Sequence, residues 1–273
     1  MAERSDKMVG IRFENVKKEF QIEDGTIVNA LNGINLDIHC GDFVSLIGPS
    51  GCGKSTMLRL LAGFDRPTDG KVYLDDTEIQ KPSHDRGLVF QEHNLFPWLT
   101  IYNNIAFGLK VRHIFKNNKK MVDDFIELVG LKGFEKSYPH QLSGGMCQRA
   151  SLARALIGNP KALLLDEPLG ALDAFTRMNM QDELLRIKKE QNTTMVMVTH
   201  DVDEAVYLSN YICVMSPRPA RIEKILKVDL AYPRDRNNPE FIRIRNEILQ
   251  ILDFAGKEKD PESALVYAAA IFG

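Results

Sequence analysis

Apolar and polar positions alternate over residues 11–20 and again over 26–38, which predicts two antiparallel strands at the start of the chain. FVSLIG (43–48) is a short, mainly apolar run ending in glycine and reads as a buried strand. STMLRLLAG (55–63) then takes helical spacing and closes near Gly63. GKVYLDD (70–76) and RGLVF (86–90) predict further strands. From about 93 to 158 the pattern becomes helical, with helices over 100–109, 118–130 and 144–157. Strands return in ALLLDE (162–167), TMVMVTH (194–200) and YICVMS (211–216), with helices over 174–190 and 201–208 between them. DPESALVYAAAIFG (260–273) reads as a short helix with Asp260 as N-cap and Pro261 at its first position. Strands alternating with helices indicate an α/β fold with a mostly parallel sheet. The expected organisation is one domain over 9–255, with a helical subdomain inserted at about 93–158 and a short tail over 256–273.

Composition adds little to this picture. The 273 residues are 44% apolar and 26% charged, ordinary for a globular chain long enough to bury a substantial core. A net charge of −2 gives no bulk electrostatic case for nucleic acid. The polar start MAERSDKMVG lacks the apolar centre of a secretory signal, and no apolar run approaches the roughly 18–20 residues that cross a bilayer. Any membrane role is therefore expected to come through a partner. Cys40, Cys52, Cys147 and Cys213 show no metal-like spacing and are expected to be reduced thiols.

Candidate chemistry changes the picture more. GPSGCGKST (48–56) fits the phosphate-loop pattern and stands where that pattern must stand, after a strand and at the opening of a helix. Glycines let the backbone wrap a phosphate with its N–H groups inward, so Gly48, Pro49, Ser50, Gly51, Cys52, Gly53, Lys54, Ser55 and Thr56 are the candidate cradle. Lys54 would neutralise the β- and γ-phosphates, and Ser55 would offer its hydroxyl to Mg²⁺. In LLLDEP (163–168) a buried strand ends in two carboxylates. Asp166 can hold Mg²⁺ through water, and Glu167 can polarise a water for attack on the γ-phosphate. Gln91, after GLVF, can ligand Mg²⁺ or touch that water, and His200, after MVMVT, can bond the γ-phosphate. A second anion site follows: Ser143, Gly144 and Gly145 in PHQLSGGMCQRASLARA open onto a helix N-terminus with free N–H groups. Two cradles in one chain, for a ligand the size of ATP, need an explanation.

The order of GPSGCGKST, Gln91, LSGGMCQ, LLLDEP, GALD (170–173) and His200 resembles the ATPase subunit of an ABC transporter, and the resemblance covers roughly residues 11–230. It implies a P-loop NTPase fold of ABC type: a mostly parallel sheet, an N-terminal antiparallel β subdomain and an inserted α-helical subdomain. It also implies a head-to-tail pair of subunits. Each ATP would lie between the phosphate loop of one chain and Ser143, Gly144 and Gly145 of the other, with Asp173 joining the two sites. Catalysis would rest on Glu167, His200 and Lys54, and Mg²⁺ on Ser55, Gln91 and Asp166. The family stacks adenine on an aromatic from the early strands, and Phe20 in VKKEF matches that place ahead of Phe13. One departure stands out: Met146 and Cys147 follow LSGG where the commonest signature has glutamine, which leaves the phosphate-facing residues intact.

Residues 198–222 and 228–248 are similar to the nitrate, sulfonate and taurine subfamily of importers. That implies a peripheral subunit on the cytoplasmic face of the membrane, with a second ATPase subunit and a membrane permease as partners, an extracytoplasmic solute-binding protein as an indirect one, and no nucleic acid. Phe96, Pro97, Trp98 and Leu99 match the surface onto which a permease helix docks, although a place in the core is open to them as well. A soluble ABC-type ATPase acting on ribosomes or DNA would share the nucleotide motifs, and a P-loop kinase would leave LSGG and GALD unexplained.

Overall fold

The computed structural model of this chain describes residues 8–257 apart from positions 24 and 171, so the helix expected over 260–273 lies outside the described residues. A six-stranded sheet forms the centre, in the order β10(Ile222–Lys227), β9(Tyr211–Met215), β3(Phe43–Ile47), β8(Thr194–Val198), β7(Ala162–Asp166) and β6(Arg86–Val89). All neighbours from β9 to β6 run parallel, and β10 adds an antiparallel edge. β1(Val9–Gln21), β2(Ile27–His39), β4(Asp69–Leu74) and β5(Thr77–Glu78) form a separate antiparallel sheet. This is the layout expected of the fold class.

The central strands divide their side chains between two apolar cores by the two-residue period of a strand. Phe43, Ile47, Leu163, Leu165, Met195, Met197, Ile212 and Val214 face the helices α5(Gly144–Leu156), α6(Ala174–Gln191), α7(Val202–Leu208) and α8(Pro239–Lys257). Val44, Leu46, Leu164, Val196, Val198, Cys213 and Met215 face α1(Lys54–Ala62) and the antiparallel sheet. Burial on both faces explains why these strands read as apolar runs, whereas β1 and β2 alternate.

The helical block carries α2(Ile101–Ile105), α3(Phe107–Val111) and α4(Lys119–Leu128). The helix expected over 100–109 is interrupted at Ala106, although Ala106 N–H still bonds Tyr102 C=O and Lys110 N–H bonds Ala106 C=O across the junction. Gly108, a poor helix former, lies just beyond it. The strand β10 and the helix α8 go beyond the sequence expectation. α8 buries Phe241, Ile244 and Ile248, and it runs across the expected body–tail boundary near 255.

The segment before α8 is locked by one side chain. Arg234 is 5% exposed and lies 4.2 Å over the Tyr232 ring. Its Nη1 donates to the carbonyls of Val206 (2.6 Å), Tyr207 (3.2 Å) and Ser209 (2.7 Å) at the end of α7. Its Nη2 and Nε donate to Val228 (3.3 Å) and Leu230 (3.2 Å). A cation at a helix C-terminus also complements the helix dipole. Arg234→Met should strand these carbonyls and cost about 3–5 kcal/mol. Thermal unfolding should show a fall of roughly 6–15 °C, and Arg234→Lys should restore only part of it because an ammonium has too few donors. A melting point unchanged by Arg234→Met would refute the lock.

Candidate nucleotide site

The parallel register brings the polar ends of four strands to one edge. β3 ends at Ile47 and runs into Gly48, and β7 ends at Asp166 with Glu167 next. β8 ends at Val198, followed by Thr199 and His200, and β6 ends at Val89, followed by Phe90 and Gln91. Asp166 pairs in register with Val198, Leu165 with Val89, and Leu46 with Val198.

The phosphate loop is built around close backbone approach. Gly53 caps α1 with φ of 124°, and a Cβ there would meet Leu31 Cδ2 at 2.8 Å and Ala30 O at 3.1 Å. Only glycine satisfies both demands. Lys54 is buried and its ammonium donates to the loop's own carbonyls, Gly48 at 2.8 Å and Pro49 at 3.0 Å. Arg218, from the loop after β9, donates twice to Gly51 O, at 2.6 and 3.1 Å. Cys52 is 1% exposed and burial pushes its thiol up, which argues against a reactive thiolate.

Ser55 and the two carboxylates meet beside this loop. Ser55 Oγ donates to Asp166 Oδ1 at 3.1 Å. Burial pushes the Asp166 carboxyl above its usual range, the Ser55 hydroxyl pulls it back, and the adjacent Glu167 charge pushes it up further. Glu167 adopts a left-handed backbone, φ 46°, fixed by its N–H bonding Val198 O at 2.9 Å. A non-glycine residue held there is the kind of strain that concentrates at functional sites. Gln91 Nε2 donates to Glu167 Oε2 at 3.3 Å, and His200 Nδ1 lies 3.3 Å from the same oxygen. Residues separated by 76 and 33 positions thus converge on one carboxylate oxygen.

Several supports escaped the sequence reading. Thr199 Oγ1 donates to Glu204, a carboxylate that is 5% exposed and pushed up by burial. Asp201 caps α7 by accepting from Glu204 N–H at 3.0 Å. Gln148, buried on α5, donates to Phe90 O at 3.3 Å and ties the helix behind the Ser143 turn to the residue preceding Gln91. The pattern T-H-D before a helix was a usable capping signal for Asp201. Glu204, three residues after Asp201, belongs to the same helix-start signal, but nothing local pointed to its bond with Thr199, and Gln148 gave no local signal.

Ser143 caps α5, its Oγ accepting from Met146 N–H at 3.3 Å, and a Cβ on Gly145 would lie 3.2 Å from Leu172 Cδ2. Among the described residues, no hydrogen bond joins the Ser143 turn to residues 48–56. Asp173 caps α6, accepting from Thr176 N–H at 3.0 Å and Thr176 Oγ1 at 2.6 Å. Phe13 is 3% exposed and belongs to a core, whereas Phe20 is 37% exposed near the end of β1 with the Lys18 ammonium 4.9 Å over its ring. The Phe96–Leu99 cluster is not core at its tip: Trp98 is 70% exposed. Phe96 packs between Trp98 (5.5 Å) and Phe107 (4.6 Å). The loop is held by the fully buried Asn104, whose Oδ1 accepts from Phe96 N–H at 2.8 Å and whose Nδ2 donates to the carbonyls of Phe96, Leu99 and Thr100.

The sequence pattern of the ABC transporter family matches residues 31–170, which span the phosphate loop, Gln91, the Ser143 turn and Glu167. The chain is 49% identical over 246 residues to an aliphatic sulfonates import ATP-binding protein of Bacillus cereus, covering 90% of this chain and 97% of that one. It is also 49% identical over 251 residues to an uncharacterised ABC transporter ATP-binding protein of Methanocaldococcus jannaschii, covering 91% and 94%. Among solved structures it matches the dimeric post-hydrolysis state of the ATP-binding cassette MJ0796 bound to ADP and Pi, with a TM-score of 0.72 and 33% identity over 81% of this chain and 100% of that one. With a phosphate loop, a strand-end carboxylate pair and this degree of kinship, the chain belongs to the ATP-binding proteins of the ABC transporters and is an ATPase.

Proposed function

We propose that this chain is the ATP-hydrolysing subunit of an importer for a small anion or related solute, of the sulfonate, nitrate, taurine or bicarbonate kind. It works as one of two ATPase subunits beneath a membrane permease, on the cytoplasmic face. The observation that carries the catalytic part is the meeting of Gln91 and His200 at Glu167 Oε2, beside the Ser55–Asp166 pair. The importer part is supported by relatives named for sulfonate import that align along nearly their whole length.

In this reading the phosphates of ATP settle on the loop 48–56 and the N-terminus of α1, where N–H groups and the helix dipole favour anions. Lys54 gives up its bonds to the loop carbonyls of Gly48 and Pro49 and turns to the β- and γ-phosphates. Phe20 stacks on adenine. Mg²⁺ fits the donors present: Ser55 meets Asp166 and Gln91 lies against the adjacent Glu167, and the oxygens of Ser55, Asp166 and Gln91 are too few to cage a cation alone, which suits an ion that keeps waters and phosphate oxygens. When bound, the ion would neutralise charge developing on the phosphates. Glu167 accepts a proton from the attacking water, while Gln91 and His200 hold that carboxylate and the water in place. Ser143, Gly144 and Gly145 of one subunit close over the γ-phosphate held by the other, with Asp173 between the sites. That arrangement accounts for two cradles in one chain. The exposed Trp98, braced by Phe96, receives the permease.

Lys54→Ala should weaken ATP binding and abolish hydrolysis, read by nucleotide titration and phosphate release. Retained turnover would remove the loop from its assigned role. Glu167→Gln should keep ATP binding while turnover falls by roughly two to four orders of magnitude, because the amide has the carboxylate's shape but cannot take the proton. Size-exclusion chromatography should then find the variant dimeric in ATP; a monomer would count against the paired cradles. Trp98→Ala should alter stability by no more than about 0.5 kcal/mol, as expected for an exposed site. Its ATPase rate should persist while permease pull-down and solute uptake fall sharply. Normal assembly and uptake by this variant would defeat the docking assignment.

A further inference from the structure

The helical block carries a charge distribution that nucleotide chemistry does not need. The chain as a whole has 37 acidic and 35 basic residues, yet residues 93–122 contain no aspartate or glutamate. Within that stretch lie Lys110, Arg112, Lys116, Lys119 and Lys120, all exposed, with exposed His113 among them. The partners observed for these cations are uncharged. Lys110 donates to Asn103 Oδ1 at 2.6 Å and lies 5.0 Å over the Phe115 ring. Lys119 lies 6.0 Å over the same ring, and Arg112 donates to Gly158 O at 3.2 Å. The next carboxylates, Asp123 and Asp124, come after this run on α4.

Two of the cations sit where a helix disfavours them. Lys119 and Lys120 occupy the first turn of α4, which has no acidic residue and no side-chain cap. Positive charge at a helix N-terminus opposes the helix dipole, so these residues cost the helix stability there. Apolar side chains border the patch: Val111 is 61% exposed and Phe107 is 37% exposed. Phe107 in turn packs on Phe96 at 4.6 Å, so the basic surface continues from the Trp98 loop.

We propose that residues 107–120 form a contact surface for the anionic phospholipid headgroups of the bilayer. Clustered lysine and arginine are drawn to the negative surface of the inner leaflet, and flanking apolar residues suit the headgroup boundary. A purely acidic protein segment would leave Val111 and Phe107 without a counterpart. The placement beside Trp98 rests on the docking assignment above, since a subunit seated on a permease presents that side to the membrane. The surface therefore supplies a second, salt-dependent attachment independent of the permease.

The test uses the purified full chain and vesicles of phosphatidylcholine with or without phosphatidylglycerol, scored by co-sedimentation. Binding should require phosphatidylglycerol and should be lost when salt is raised from about 0.05 M to about 0.5 M, where screening shortens the reach of exposed charges. Each basic group near such a surface is worth about five-fold in partitioning, so Lys116→Gln, Lys119→Gln and Lys120→Gln together should weaken binding by roughly 100-fold. The ATPase rate of the triple variant should stay at the wild-type value, since none of the three touches the nucleotide site, and its melting point should not fall, since Lys119 and Lys120 oppose the helix dipole. Equal binding to pure phosphatidylcholine, no binding to either vesicle, or full binding by the triple variant would each overturn the proposal. Loss of permease pull-down with vesicle binding intact would reassign the surface to an acidic protein partner. A wild-type chain without ATPase activity would sink the importer reading and leave the vesicle result standing.

Discussion

Parallel register across the central sheet is the constraint on which the site depends. Side-by-side pairing of β6, β7, β8, β3 and β9 obliges their C-terminal ends to finish together. The strand interiors are apolar on both faces except for Ser45, whose hydroxyl is paired with that of Ser209, and the polar residues of the site stand where a strand leaves the core. Gly48, Gln91, Asp166, Glu167 and His200 all stand at that exit. A register slip of one residue would exchange the two cores and move Asp166 away from Ser55.

Within that frame the site is held in readiness by groups that bond one another. Lys54 rests on loop carbonyls, Ser55 on Asp166, and Glu167 on Gln91 and His200. Each of these contacts can be exchanged for a phosphate or a water at small net cost, because one hydrogen bond replaces another. The links leading outward are of a different kind. Gln148 to Phe90, Asn104 to the Phe96–Thr100 backbone and Thr199 to Glu204 are buried polar bonds that would be expensive to break. They make the Gln91 segment, the Ser143 helix and the Trp98 loop neighbours on one stiff assembly.

The surface shows a corresponding division. Apolar side chains withheld from both cores gather around Trp98 and Phe107, and the run of basic residues from Lys110 to Lys120 leads from there to the start of α4. The Ser143 turn and Asp173 are exposed on helix N-termini that are already capped by their own side chains. In the proposed reading, partner-facing chemistry sits on the inserted helical block and the start of α6, and nucleotide-facing chemistry sits on the sheet edge.

Local chemistry was legible wherever it depends on adjacent residues. The two-residue period of β1 and β2, the apolar runs of β3, β7 and β8, and the glycines that let Gly48 and Gly53 approach neighbouring backbone are all properties of short segments. So is the phosphate-loop pattern. β10 escaped because an exposed edge strand has one buried position and no clear alternation, and α8 because its apolar stripe was not set against any core. Arg234, Asn104, Gln148 and Glu204 look like ordinary surface residues in the chain, and folding buries each of them. Their partners lie across turns and strands, and the cost of an unpaired buried polar group decides those partners only once the backbone is placed. The sequence by itself determined the residue types at the strand ends and the loop able to hold phosphate. Which carboxylate oxygen receives both Gln91 and His200, and which aromatic stays in water at Trp98, was decided by tertiary packing, because distance and burial exist only in the folded chain.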